Sequence, residues 1–523
     1  MIRDLNELAD DAFAGAGYDV CVVGAGFVGI ALAMALPKTT RVLLLEAGGR
    51  TFRPEAQDPY RGENTGHEYF PLDACRLRQF GGTSHLWAGW SRAMDAHDFI
   101  ARDDVPHSGW PIGKPDLDPY FERTRQVLGV APGINWQWGG ALDHLDGLES
   151  FDFHWSYPLV VMSERYGDYL EASGNIDCVL NANLTDLRLN EQGAQVIGIE
   201  IGDYRQRRFA VRAERVVLAT GGIETARLLL NFDGQVAGGI GNGHDLVGRF
   251  FMEHPHYDVG HFILDDAVNR RLVQLRRKDA PLITEFIKPT AAFMRAAGCL
   301  NFGLRVIHWG QERELGFRER LGRLLSRDGP LEEAEEWLRQ TPAACRMGGL
   351  QRVIDEQTPD HQRAPLTAPC DVDGLIRIAS EQAPNPASRI TLNGERDAFG
   401  LRRVTLDWRL QALDKYTMKA AVLKLGEQFA RRDIGRVRLV DWLVDDAAPI
   451  PGLDGEEVGG NHHIGTTRMA DDPRRGVVDA DLKVFGIDNL YLCGSGVFPT
   501  AGQANPTFAA VQLALRLADH LAA

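Results

Sequence analysis

Two histidines stand side by side in NHHIGTTRM, residues 461–469. Histidine changes its charge near neutral pH, so either ring could take up a proton during a reaction. The pair is a poor metal site by itself. Neighbouring side chains point about 100° apart on a helix and to opposite faces on a strand. One of His462 and His463 can therefore face a reaction centre while the other packs elsewhere. A second group with chemical meaning lies near the other end of the chain: Gly24-Ala25-Gly26-Phe27-Val28-Gly29, followed seventeen residues later by Glu46. The first glycine permits a tight turn, the second lets backbone approach a pyrophosphate, and the third lets helix and strand pack closely. The helix start then offers N–H groups to phosphates, and Glu46 can accept from an adenosine ribose hydroxyl. An acid at that position suits the ribose of FAD or of NAD alike.

These groups need elements to hold them. Residues 18–49 read as strand, glycine turn, helix and strand, with CVV and VLLLE as the apolar runs of parallel strands buried on both faces. Residues 101–175 are rich in Trp, Pro and Asp, and DLDPYFERTRQVLGV reads as one helix. Strand-like pieces follow from 176 to about 230 and end in VVLATGGIETARLLL, again strand, glycine turn and helix, a further wall for a long ligand or simply a buried unit. The middle, 256–456, is mixed. It holds a charged helical stretch, ERELGFRERLGRLLSRDGPLEEAEEWLRQ, read as a lid, an interface or, most simply, a solvated face, and the strand-rich SRITLNGERDAFGLRRVTLDWRL. Between the first two units, GGTSHLWAGW (81–90) combines small residues with two tryptophans, which suits either a flat ring or a structural loop. At the end, NLYLCGSGVFPTAGQANPTFAAVQLALRLADHLAA gives strand, loop and an apolar helix. Pro506 suits its first turn and Asn505 its N-cap, so a buried helix start faces inward, where it stabilises negative charge.

Composition narrows the class of partner. The 523 residues carry 57 Lys and Arg against 72 Asp and Glu, a formal net charge of −15, which argues against nucleic acid and suits a neutral or cationic small substrate. Seven scattered cysteines form no CxxC pair, which favours reduced thiols and a cytoplasmic setting over a disulfide framework or a zinc site. MIRDLNELADDAF is acidic, with no basic export signal. DVCVVGAGFVGIALAMAL imitates a membrane span, but its three glycines fit a buried strand and helix better, so no membrane span is expected.

Taken together, GAGFVG with Glu46, GGTSHLW, ATGGIETARLLL, GRFFMEHP (248–255), HHIGTTRM and NLYLCGSGVFPTAGQANPT occur in the order found in the glucose–methanol–choline (GMC) flavoprotein oxidoreductases. The chain resembles that family along nearly its whole length, least from about 260 to 380. The flavour of the last block is closest to bacterial sugar-oxidising members: pyranose oxidases, glycoside 3-oxidases or dehydrogenases, and fructose and gluconate dehydrogenase large subunits. The resemblance implies an α/β (α+β) fold. A Rossmann-type FAD-binding domain would be assembled from 1–100, 176–255 and 457–523, and a substrate domain with an antiparallel sheet covered by helices from 101–175 and 256–456. FAD would lie against Gly24, Ala25, Gly26, Phe27, Val28, Gly29, Glu46 and Ala47. Gly82, Thr83, Ser84, Leu86 and Trp87 of the second motif would join them, as would Leu184, Ala219, Gly221 and Glu224. Gly494, Ser495, Asn505, Pro506 and Thr507 would complete the set.

Family enzymes oxidise an alcohol by hydride transfer to flavin N5, assisted by a histidine base and a second His or Asn. In the family pattern the base stands three residues before the glycine of the G-T pair, here Gly465, which gives His462; the partner falls on Asn505. His463 would pack or position its backbone near the flavin. Some sugar-oxidising relatives attach FAD through a histidine immediately before the Trp of the GG-loop. Here Leu86 precedes Trp87 and His85 is one residue early, so non-covalent FAD is expected. The substrate would be a small alcohol, foremost a secondary hydroxyl of a sugar or glycoside. The rival readings are an aromatic, steroid or natural-product alcohol, a lyase that keeps FAD without redox use, or an electron-transfer scaffold subunit. Dioxygen, a quinone or a redox protein would take the electrons, and no metal is implied.

Overall fold

The computed structural model describes residues 1–130, 145–151, 153–265, 268, 286–308, 372–452 and 459–523. The charged stretch ERELGFRERLGRLLSRDGPLEEAEEWLRQ, with Cys345 and Cys370, lies outside the described residues. The sheet nearest the glycine motif is parallel throughout. It is built from β1 (Ile2–Asp4), β2 (Tyr18–Val23), β3 (Val42–Leu45), β4 (Ile176–Leu180), β5 (Ala213–Leu218) and β6 (Leu490–Leu492). Their order is β1-β4-β3-β2-β5-β6. Every residue of β3 and β6 is buried, as continuous apolar runs require of strands covered on both faces. β1 lies in the stretch read only as acidic; Ile2 pairs with Cys178 and closes the sheet on that edge.

Four helices matter for the site: α1 (Phe27–Ala35), α2 (Gly222–Asn231), α3 (Ala412–Arg431) and α4 (Pro506–Ala522). α1 follows β2 through the glycine turn and packs against α4. Its Ile30 and Leu32 are fully buried, and each such side chain contributes about 1.5–3 kcal/mol on leaving water. α4 buries twelve residues, Phe508, Leu513 and Leu517 among them, so its start is held inside the protein, on α1, rather than in solvent.

The second large sheet has six strands and is antiparallel: Gly435–Leu439, His256–Leu264, Gly374–Ser380, Phe302–His308, Phe286–Pro289 and Leu148–Phe151, in that order across the sheet. α3 packs against it. Met418, Ala421, Val422, Leu425 and Phe429 form the buried stripe of α3 at helical spacing. DLDPYFERTRQVLGV is not one helix. It breaks into Lys114–Leu117, a tight turn at Asp118–Tyr120 and Phe121–Val127, because Pro119 has no N–H to continue the ladder. The five described cysteines are buried free thiols. Among the described residues no helix is long and apolar enough to cross a membrane.

Candidate active site

The C-terminal ends of the parallel strands open onto a cavity of about 730 Å³. Such a volume is typical of a cofactor or small-molecule site. At the end of β2, Gly24 adopts φ +103, and a Cβ there would stand 2.6 Å from the Ala219 carbonyl oxygen. A Cβ on Gly29 would come within 1.8 Å of the Gly24 carbonyl oxygen. These two positions make the turn and let α1 sit close to the sheet. Gly82 brings a second glycine loop against Gly26, with a Cβ at 82 only 3.1 Å from the Gly26 Cα. Both loops therefore present bare backbone to the cavity.

Glu46, at the end of β3, is buried. Its carboxylate accepts from the Ala25 N–H at 2.9 Å and the Gly48 N–H at 2.8 Å. Burial raises its pKa, against the pull of those two donors and of Arg78. The side chain thus braces the glycine turn as well as lining the cavity. Glu224, in the first turn of α2, is held by Arg78 at 3.2 Å and Arg227 at 3.0 Å. Its other oxygen is buried without a hydrogen bond.

Three helix starts meet this cavity, and none has a side-chain cap. α1 begins after Gly26, α2 after Gly221 and α4 after Asn505. Asn505 stands at the N-cap position as its sequence suggests, yet its amide donates instead to the Trp90 carbonyl at 3.0 Å. The uncapped N–H groups are left for a ligand carrying negative charge.

The two adjacent histidines have different surroundings. The segment around Met252 zips onto that around Ile464 through two hydrogen bonds, Met252 N–H to Ile464 at 2.9 Å and the reverse at 3.0 Å, and a bridge joins Pro255 with Gly459. This pairing sets His254 beside His462, with their Nδ1 atoms 2.8 Å apart. His254 Nε2 donates to the Gly502 carbonyl at 2.9 Å. The His462 N–H donates to both oxygens of Glu253, at 2.8 and 2.9 Å, and Tyr69 donates to the same carboxylate at 2.6 Å. Burial pushes the Glu253 carboxyl up to about 7, opposed by Tyr69 and the three backbone N–H donors around it. Burial, then His254, His256 and His463, holds the His462 ring well below the usual histidine range. His462 therefore stays neutral in mildly acidic solution. His463 packs its ring near Tyr69 and Phe251, while its carbonyl accepts from Ser495 at 2.7 Å. Burial lowers its pKa to about 3, and its Nε2 is buried without a hydrogen bond.

Of the residues singled out in the sequence, both histidines and Asn505 line this one cavity. So do Gly24, Gly26, Phe27, Val28, Glu46, Ala47, Gly82, Thr83, Leu86, Trp87, Leu184, Ala219, Gly221, Glu224, Gly494, Ser495, Pro506 and Thr507. Ala25, Gly29 and Ser84 stand behind that surface. Ala25 reaches Glu46, Gly29 packs on Gly24, and Ser84 donates to the Gly81 carbonyl at 2.7 Å. His85 turns away to the Phe80 carbonyl at 2.9 Å and Ser163. The opposite wall comes from the antiparallel sheet and its neighbours: Trp90, Phe153, His256, Phe286, Arg305 and Arg377. Apart from Trp90, sequence reading assigned those residues no role. GRFFMEHP and GGTSHLWAGW were the signals that contained His254 and Trp90.

A flavin dinucleotide fits these features. Bare glycine backbone and uncapped helix starts suit a pyrophosphate, Glu46 suits a ribose, and an orphaned imidazole nitrogen at His463 awaits a polar partner. Comparison with known proteins agrees. A family model described as GMC oxidoreductase matches residues 384–514. The fructose dehydrogenase large subunit of Gluconobacter japonicus is 23% identical, over 96% of this chain and 97% of its own. Paromamine 6'-oxidase of Streptomyces fradiae is 25% identical over 97% of this chain and 91% of its own. In three dimensions the fold resembles pyridoxine 4-oxidase from Mesorbium loti, with a TM-score of 0.58 at 17% identity, covering 96% of this chain and 99% of that one.

Proposed function

We propose that the chain, whose residues 384–514 match the GMC oxidoreductase model, is a flavoenzyme of that kind that binds FAD and oxidises a secondary hydroxyl of a sugar or glycoside to the carbonyl. The observation that carries this reading is that His462 and Asn505 line the same cavity as the glycine turn and three uncapped helix starts. FAD, when bound, supplies the acceptor for the hydrogen and electron pair that leave the carbinol carbon. His462, neutral in its buried setting, takes the hydroxyl proton. An amide nitrogen carries two hydrogens, so Asn505 can hold the Trp90 carbonyl with one and the developing alkoxide with the other. The α4 start presents N–H groups to negative charge arriving in the cavity. FAD is held without a covalent bond, since the one imidazole in the GG-loop, His85, is engaged with Phe80 and Ser163.

The fructose-oxidising relative supports a sugar substrate, and the aromatic wall of Trp90, Phe153 and Phe286 offers flat apolar faces to the C–H side of a ring. The test is anaerobic mixing of the holoenzyme with free sugars, glycosides, and benzylic and steroid alcohols, read by bleaching of the flavin absorbance. Bleaching by a sugar or glycoside at the lowest concentration is the expected result. Bleaching by the other alcohols alone would replace the substrate class, and bleaching by none would leave a non-redox flavoprotein. Reoxidation of the bleached enzyme by air, quinone or a redox protein then identifies the electron acceptor.

A further inference from the structure

We propose that His254 is a positioning residue that fixes the hydrogen of His462 on Nδ1 and leaves the lone pair on Nε2. The inference rests on the reading of His462 as proton acceptor and extends it to a residue outside the cavity lining. A carbonyl oxygen only accepts, so His254 must donate to Gly502 from Nε2. A neutral imidazole carries a single N–H, so the Nδ1 of His254 is bare. The 2.8 Å contact with His462 then needs its hydrogen from the other side, on His462 Nδ1. That leaves His462 Nε2 unprotonated, and among the described residues it has no protein partner.

The alternative would be a cationic His254 donating from both nitrogens. Its ring is 1% exposed and is bonded to one carbonyl and one imidazole, neither of which carries charge. A cation so placed would be desolvated with no carboxylate bonded to its ring, Glu381 being paired with Arg102. Burial and the neighbouring His256 lower the pKa of His254 to about 4, in agreement with a neutral ring.

The arrangement has a mechanical advantage. With FAD bound to accept the carbinol hydrogen and its two electrons, the hydroxyl proton would go to His462 Nε2 and a carbonyl would remain. His462 becomes an imidazolium with its Nδ1–H already bonded to His254. No proton moves within the histidine pair, and no dipole has to turn during the step. Glu253 completes the fixture by gripping the His462 backbone N–H with both oxygens.

Ring-nitrogen-labelled histidine in the oxidised holoenzyme tests this directly, with the His462 signals identified by their loss in His462→Ala. Long-range proton–nitrogen spectra should show the His462 hydrogen on Nδ1; a hydrogen on Nε2 overturns the proposal. In His254→Phe the hydrogen should move to Nε2, and flavin reduction at saturating alcohol should slow on the order of tenfold or more, with substrate affinity little changed. A wild-type rate in that variant overturns it. Should His254→Phe fail to take up flavin, His254→Asn decides. Its amide oxygen can accept in place of Nδ1, so the Nδ1–H form should persist, and an Nε2–H form at wild-type rate overturns the proposal. The spectra need no substrate. An enzyme that no alcohol reduces would remove the redox reading while leaving the tautomer measured.

Discussion

The cavity has two walls made in different ways. On the parallel-sheet side the surface is largely backbone, with Gly24, Gly26, Gly82 and Gly221 at strand ends and helix starts and Glu46 bracing the turn from behind. On the antiparallel side it is side chains: Trp90, Phe153, Phe286, Arg305 and Arg377. Backbone recognition needs close approach and therefore glycine. A side-chain wall needs only volume and polarity, which many residues supply. The first wall suits one constant ligand, and the second can change with the substrate.

Exchange of His462 for alanine should break the comparison most visibly. Flavin reduction should fall by about 10²–10⁴-fold while the flavin content stays that of the wild type. A colourless protein instead would place His462 with the cofactor wall. Next, Gly29→Ala should lower thermal stability markedly and leave the purified protein poor in flavin, because the new methyl meets the Gly24 carbonyl. Substrate affinity of the fraction that retains FAD should be unaltered. A smaller effect is expected from Glu46→Gln. One of the two backbone N–H groups now faces an amide NH₂, and the FAD dissociation constant, measured by fluorescence quenching, should rise about tenfold.

The smallest effect concerns pH. His462 is faced by His254, His256 and His463 on neighbouring segments and by Glu253, whose oxygen is 3.9 Å from its Nδ1. Its folded pKa lies below the ordinary histidine value of about 6.5. The His462 ring should therefore stay neutral as pH falls through that value, so a change in flavin-reduction rate near pH 7 reports Glu253, and the acid limb of the base lies further down. The same depression makes folding proton-linked. The unfolded chain binds protons at His254, His462 and His463 below about pH 6.5 while the native chain does not, so their contribution to stability is full above that pH and declines below it. His463→Phe should flatten that decline in a melting-temperature series.

The two walls were unequally legible in the sequence for the same physical reason. GAGFVG with Glu46 could be read because a turn, a close approach and a ribose acceptor demand fixed residue types at fixed spacing. HHIGTTRM marked His462 as a candidate base only through the order of motifs around it. Its partner His254 was invisible, because the contact depends on two segments far apart in the chain registering through the Met252 and Ile464 bonds. Asn505 showed its position at the helix start but not its bond to Trp90, which only the tertiary fold creates. Strand Ile2–Asp4 was missed because an edge strand of three residues has too little periodicity to read.

The order in which strands enter the parallel sheet has a consequence for biosynthesis. β2 and its glycine loop leave the ribosome early, but their neighbour β5 stays unpaired on its far side until β6 arrives, with most of the chain made in between. The helix that closes the cavity floor follows later still. A nascent polypeptide can thus hold the glycine turn for much of its synthesis without a complete pocket around it. Flavin capture should be a late, nearly all-or-none event that also locks the final strand in place.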